Sequence, residues 1–198
     1  MLMKFRPITF FDASVVAALH IEGITAGFIS SLGKELVEFL YEGIVASSQA
    51  FGFVAVEDGR VIGFITCAES VTSIYKYILR NHFFKLVLAI LPKLLRLSNV
   101  KDVIETLFYP SGAGKDLNCA EIVAIVVDGR WRGKGVGRSL IQKAVDETGR
   151  RGMEKIKVMV GEPLSANEFY KHLGFELVGQ YRQHGHLANY YVKATADN

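Results

Sequence analysis

The apolar positions of this chain follow two periods, and together they predict a mixture of helices and strands. The clearest element is Cys119 to Val127, CAEIVAIVV, an apolar run dominated by Ile and Val and too short to cross a membrane, which predicts a buried strand. Lys155 to Val160 alternates and is rich in β-branched residues, so it predicts another strand. Nearer the start, Lys4 to Arg6 before Pro7 reads as a short first strand. Asp12 is placed to cap a helix that carries Val15, Val16, Leu19 and Ile24 inward. Leu32, Leu36, Val37, Phe39, Leu40 and Ile44 recur at helical spacing and predict a second helix. Phe51 to Val56 and Val61 to Thr66 flank Asp58 and Gly59, the residues a tight hairpin turn requires. Towards the end, Ser165 to Phe175 predicts a short helix capped by Ser165 and closed by Gly174. Glu176 to Arg182 and Leu187 to Lys193 predict a last hairpin.

From Ser70 to Pro110 the pattern is less regular. Ile74, Tyr77, Ile78, Phe83, Phe84, Leu86 to Leu91, Leu94, Leu95 and Leu97 are apolar, with Lys76, Arg80, Lys85, Lys93 and Arg96 among them. The charges and Pro92 interrupt the run too often for a membrane-spanning helix. The pattern predicts an inserted unit of about three helices over residues 70–110, with a further helix over Asn99 to Phe108. Such a unit serves as extra core packing, or as a lid over a substrate pocket or a dimer face; a basic amphipathic element lying on a membrane surface is the least favoured reading.

The candidate chemistry lies directly after the Cys119 strand. A polar turn, Asp128 to Trp131, leads to a glycine-rich basic loop, Arg132 to Gly137, and then to the helix pattern Leu140, Ile141, Ala144 and Val145. Glycines allow close backbone approach, and the first amides of a helix have no intrahelical partner while its dipole favours an anion. Arg130, Arg132, Lys134 and Arg138 surround those amides with positive charge, so the expected guest is a phosphate group. The dinucleotide fingerprint GxGxxG fails in both registers, because Arg138 and Leu140 stand where the third glycine is needed. A P-loop fails as well: Tyr109 replaces the leading glycine before Gly114 and Lys115, and Asp116 replaces the Ser or Thr that would hold magnesium.

What the loop does match is RxxGxG after an apolar strand, with Arg132, Gly135 and Gly137 in the fixed places. This resembles the acetyl-CoA signature of the GNAT superfamily of N-acetyltransferases. The later stretch ANEFYKHLGF, from Ala166 to Phe175, resembles the family's second motif, ANxFYxxLGF, and two helices followed by an antiparallel hairpin are also how such chains begin. One departure is Pro163, where many relatives carry an additional asparagine. The resemblance implies an α/β (α+β) fold with a mixed sheet of about seven strands, splayed between the Cys119 and Lys155 strands. It implies acetyl-CoA as co-substrate, held by Ile125, Val126, Val127, Arg132, Gly133, Lys134, Gly135, Val136, Gly137 and Arg138, with Asn167 and Tyr170 beside the pantetheine and sulfur. It further implies direct attack by an amine in a ternary complex.

That chemistry sets two tasks. An aliphatic ammonium titrates near lysine's pKa, about 10.4, so deprotonation at neutral pH costs about 4 to 5 kcal/mol and a general base is expected. Counted back from Gly135, Glu121 occupies the position where relatives with a glutamate base carry it, within reach of the acceptor through one or two waters. The departing thiolate must be protonated, and Tyr170 is the acid the resemblance implies. The alternative is a CoA-binding regulatory or membrane-associated module without turnover. Amino sugar, polyamine, antibiotic, amino acid and protein N-terminus all remain open as acceptors.

Composition narrows the remaining classes. The 198 residues, 50% of them hydrophobic, suit a single domain over 1–198 with a full core, and the net charge of +3 gives no case for nucleic acid. Met1 to Pro7 lacks the apolar region of a cleavable signal, and the cysteines Cys67 and Cys119 both lie in apolar strands, so a cytoplasmic, disulfide-free protein is expected. His184 and His186 flank Gly185 without a carboxylate or cysteine companion, so a solvated turn is expected and no metal.

Overall fold

The structure, a computed structural model, describes residues 3–25, 28–31, 33–94, 118–183 and 186–195. Strand β1 (Lys4–Pro7) leads through a short 3-10 turn, Phe10–Asp12, into α1 (Ala13–Gly23), α2 (Phe28–Ser31) and α3 (Lys34–Ala46). There follow β2 (Ala50–Glu57), β3 (Arg60–Ala68), α4 (Val71–Leu94), β4 (Cys119–Val127), α5 (Val136–Arg150), β5 (Lys155–Gly161), α6 (Ala166–His172), β6 (Glu176–Gln183) and β7 (His186–Ala194). The seven strands form one sheet in the order β1-β2-β3-β4-β5-β7-β6. Its neighbours run antiparallel except for β4 and β5, which are parallel.

Two apolar layers cover this sheet. One face packs against Val16 of α1, Val37 and Ile44 of α3 and Ile74 of α4. The other packs against Val136, Leu140 and Ala144 of α5 and Tyr170 of α6. The β2–β3 turn forms as its residues demand, with Asp58 at φ 47° and Gly59 at φ 76°, both left-handed, the conformation whose twist matches the flanking strands. Strand β4 carries an irregularity. Thr66 pairs with Ala124 but Cys67 pairs with Ile122, so Val123 is an extra residue in the ladder. The bulge exchanges the faces: Ala120 and Ile122 join the α5 side, whereas Ala124 and Val126 join the α1 and α3 side.

Several expectations are corrected. Val15 is 39% exposed rather than inward, because α1 buries the stripe Ala13, Val16, Ala17, Leu19 and His20, and that spacing leaves Val15 outside it. Asp12 makes no side-chain cap to α1. Its carboxylate instead accepts from both terminal nitrogens of Arg6, at 2.7 Å each, and from the backbone and hydroxyl of Thr9. Ser165 likewise makes no side-chain cap to α6. In the insertion, the described residues form α4, two helical segments that meet at a kink, and the remainder of the expected unit lies outside the described residues. The kink is at His82 (φ −126°, ψ 16°), and the second segment continues through Pro92. The His82 ring stacks on Phe39 of α3 at 4.1 Å, and its Nε2 lies 2.8 Å from Glu42 Oε2, a close contact without hydrogen-bond alignment. The expected helix over Asn99 to Phe108 and the His184–Gly185 turn lie outside the described residues.

Candidate active site

The site begins where β4 and β5 part. Their ladder comprises Cys119 with Lys155, Ala120 with Ile156 and Glu121 with Lys157, and ends there. β5 continues to Gly161 paired only with β7, so beyond Glu121 the facing edges of β4 and β5 are separate. This is the expected splay. Among the described residues it leaves backbone groups of β4 along Ile122 to Val127 without a strand partner on that edge, and such an edge can pair with an extended polar ligand. The Val123 bulge lies next to the parting point.

At the far end of β4 the glycine loop has the backbone geometry that an anion cradle requires. Gly133 (φ 74°) and Gly135 (φ 83°) adopt left-handed backbone that side chains with a Cβ rarely take. The first helical bond of α5 runs from Ser139 N to Gly135 O at 3.0 Å, so the amides of Val136, Gly137 and Arg138 precede the intrahelical ladder. A Cβ at Gly137 would stand 3.2 Å from the Phe169 ring, so this glycine lets α6 approach the loop and brings the two sequence motifs into contact. The cations divide their roles. Arg130 is held by Asp128, whose carboxylate accepts from its backbone N, Nε and Nη2 at 2.9, 3.1 and 2.7 Å. These bonds hold the Asp128 carboxyl down at about 2. Arg132 donates Nε to the Val127 carbonyl at 3.1 Å, which fixes the loop to the strand end, while Lys134 lies 4.6 Å over the Trp131 ring. Arg138 is exposed on the first turn of α5.

Tyr170 and Glu121 belong to opposite faces of the sheet. Tyr170 is buried with the α5 side, its ring packed by Phe169, Phe175 and Tyr191 at 5.4, 5.2 and 6.4 Å between centroids. Burial pushes its pKa up, and the nearby Cys67 adds to the shift. Cys67 itself is buried and its thiol is pushed up by the same cause, so it stays protonated and inert; Cys119 is buried as well. Glu121 lies between Ala120 and Ile122, which face α5, and strand alternation turns it the other way. Its charge raises the pKa of Tyr75 on α4, second to the effect of burial. Opposite it, Lys157 Nζ approaches Glu121 Oε2 to 3.6 Å, the side chains being 13% and 16% exposed, and lies 5.9 Å from the Tyr190 ring centre.

The side-chain amide of Asn167 is engaged within the protein. Nδ2 donates to the carbonyls of Gly161, Glu162 and Leu164 at 2.9, 3.0 and 2.6 Å. Oδ1 accepts from Asn189 Nδ2 at 2.7 Å and from the Tyr191 hydroxyl at 3.0 Å. It therefore ties the loop after β5 to α6 and β7 and shapes the wall of the splay. Sequence reasoning did not single out Lys157, Tyr190, Tyr75 or Asn189. Alternation within the Lys155 strand is the only signal for Lys157, and it gives a face without giving the partner across the ladder. Among the described residues, no group of three or more His, Cys, Asp or Glu could hold a metal ion.

A parallel strand pair that parts above a glycine loop is a frame for an elongated, phosphate-bearing ligand. The chain belongs to the acetyltransferase (GNAT) family, whose model matches residues 28–175. An uncharacterized N-acetyltransferase from Methanocaldococcus jannaschii is 48% identical over 58 residues, 29% of this chain and 26% of that protein, so the match spans about a quarter of that relative's length. A putative GNAT acetyltransferase from Desulfovibrio desulfuricans superposes with a TM-score of 0.65 at 15% identity, over 98% of this chain and 100% of its own. A putative acetyltransferase from Salmonella typhimurium, solved with its cofactor acetyl-CoA, gives a TM-score of 0.65 at 14% identity, over 99% of this chain and 95% of its own. At these identities the two structures speak for the fold. No helix among the described residues is long and apolar enough to cross a membrane.

Proposed function

We propose that the protein transfers an acetyl group from acetyl-CoA to a primary amine of a small molecule or peptide by direct attack in a ternary complex. The observation that carries this reading is the splay itself, which has the glycine cradle at its outer end and Glu121 and Tyr170 on opposite faces near its apex. The residues fit the ligand. Loop amides and Arg132, Lys134 and Arg138 suit a pyrophosphate, and the unpaired edge of Ile122 to Val127 suits the amides of a pantetheine arm. Bound acetyl-CoA supplies an acetyl thioester whose carbonyl carbon forms the new bond to nitrogen as the bond to sulfur breaks.

The chain's own residues then manage protons. Tyr170, buried and held above its ordinary pKa, keeps its proton at neutral pH and delivers it to the departing thiolate. Glu121 receives the ammonium proton, directly or through water, against the cost of about 4 to 5 kcal/mol set by the amine's pKa. Lys157 stands beside it, Nζ 3.6 Å from Oε2. Asn167 holds the loop wall, and Phe169 against Gly137 closes the contact between α6 and the cradle. The deciding experiment measures thiol release from acetyl-CoA against a panel of amines. Amine-dependent release establishes the activity; CoA binding without release for every amine would leave a binding module in its place.

A further inference from the structure

Helix α4 has two apolar faces, and the core buries one of them. Ile74 and Ile78 are buried against the α1–α3 layer, with Val71 and Tyr75 packed beside them. At the kink the His82 ring stacks on Phe39 of α3 and lies beside Glu42, which fixes the inner side of the helix to α3. The outer side repeats the helical spacing with other residues. Leu79 and Arg80 follow Lys76 by three and four positions before the kink, and Phe83 and Phe84 precede Val87 by four and three after it. Leu79, Phe83, Phe84 and Val87 are 47%, 50%, 81% and 42% exposed, and Lys76 and Arg80 are exposed with them. A surface helix needs one apolar stripe to join its core, so a second stripe of large side chains marks a contact surface. Its charge says which kind. The sequence of α4 carries Lys76, Arg80, Lys85 and Lys93 and no Asp or Glu, more positive charge than the net +3 of the whole chain. A single helix face offers no groove to a peptide, whereas the headgroup layer of a bilayer takes aromatic and aliphatic side chains between anionic groups that pair with lysine and arginine.

We infer that the outer face of α4 docks on a membrane surface of anionic lipid, with Leu79, Phe83, Phe84 and Val87 entering the headgroup layer and Lys76 and Arg80 meeting its phosphates. This goes beyond acetyl transfer and does not depend on it. The test is flotation of the full chain with vesicles of mixed phosphatidylcholine and phosphatidylglycerol, set against phosphatidylcholine alone and repeated at raised salt. The wild type should float with the mixed vesicles, and loss of the anionic lipid or added salt should weaken binding by about tenfold or more. Phe83→Ser with Phe84→Ser alters side chains that already face water, so the melting temperature should hold while binding falls by about tenfold or more. Lys76→Glu with Arg80→Glu should reduce binding by about 20-fold or more, because each cation near an anionic surface contributes about fivefold. Lys143→Glu, at an exposed cation of α5, controls for general charge and should stay within about twofold. Equal losses in all three variants, or a loss in none, would place the contact elsewhere and overturn the inference. A wild type that does not float overturns it as well, and the Phe83→Ser, Phe84→Ser protein then shows what covers the face instead. A dimer that this protein loses in sedimentation would assign the face to a second copy, and a fall in its melting temperature would assign the face to the chain's own packing.

Discussion

The Tyr170 ring is packed by Phe169, Phe175 and Tyr191, so removing its hydroxyl leaves the packing in place. Tyr170→Phe should therefore keep CoA affinity within a few-fold while turnover falls by about 100-fold or more, the usual size of a general-acid contribution. Calorimetry set beside steady-state rates checks this, and full turnover would reduce the tyrosine to packing. Glu121 makes a different demand. If it receives the acceptor's proton, Glu121→Gln should lower turnover most at neutral pH, and the deficit should shrink as pH rises towards the amine's own pKa, about 10.4 for a lysine-like amine. A rate profile that keeps the wild-type shape would remove the carboxylate from the mechanism and assign the proton to a water chain or a backbone carbonyl.

At the scale of elements, the phosphate-binding role proposed for the loop between β4 and α5 rests on its backbone. Space around Gly135 is open, since no atom lies within 4 Å of where a Cβ would be built, but its φ of +83° is one that a β-branched residue resists. Gly135→Val should cost about 1 to 2 kcal/mol of stability and re-aim the amides that follow. CoA affinity should be lost in calorimetry, while circular dichroism shows the fold intact. Unchanged affinity would mean that the phosphates lie elsewhere. The α6 element shows the opposite economy, in which a side chain holds the backbone: Asn167 closes the loop from Gly161 to Leu164, a task Ser165 does not perform.

Across the whole molecule, the α1–α3 layer contains a pH-sensitive contact. His20 of α1 is buried with its Nδ1 2.5 Å from the Tyr41 hydroxyl of α3. Burial lowers its pKa from 6.5 to about 4, so the fold prefers the neutral ring. The folded pKa lies below the unfolded one, and for a base this means that the stabilisation is complete above about pH 6.5 and lost as pH falls towards 4. It amounts to at most about 3 kcal/mol. Asp12, lowered chiefly by its hydrogen bonds from Arg6, adds a further loss below the ordinary carboxylate range. Urea unfolding across pH should show both windows. His20→Gln should flatten the upper window and leave the lower; a wild-type slope between pH 6.5 and 4 in that variant would place the sensitivity elsewhere.

The sequence by itself determined the parts that depend on neighbours along the chain. Cys119 to Val127 had to be a strand from its β-branched run, Asp58 and Gly59 had to turn, and Arg132 to Gly137 had to form a glycine loop leading into a helix. These follow from local propensity and periodicity, and the two motifs that carry the family resemblance are local as well. Tertiary structure decided what depends on residues distant in sequence. Alternation could not foresee the Val123 bulge, since an extra residue is defined only against the partner strand β3. It could not foresee that Lys157 faces Glu121, because register across a parallel ladder is set by the whole sheet. Val15 and Asp12 were misread for a related reason: helix rotation is settled by the sheet beneath, and the Asp12 carboxylate found a stronger partner in Arg6 than in its own helix. Asn167, legible as a motif residue, acquired its bonds to Asn189 and Tyr191 only when β7 was laid beside β5, because a side-chain amide bonds whatever the fold brings within reach.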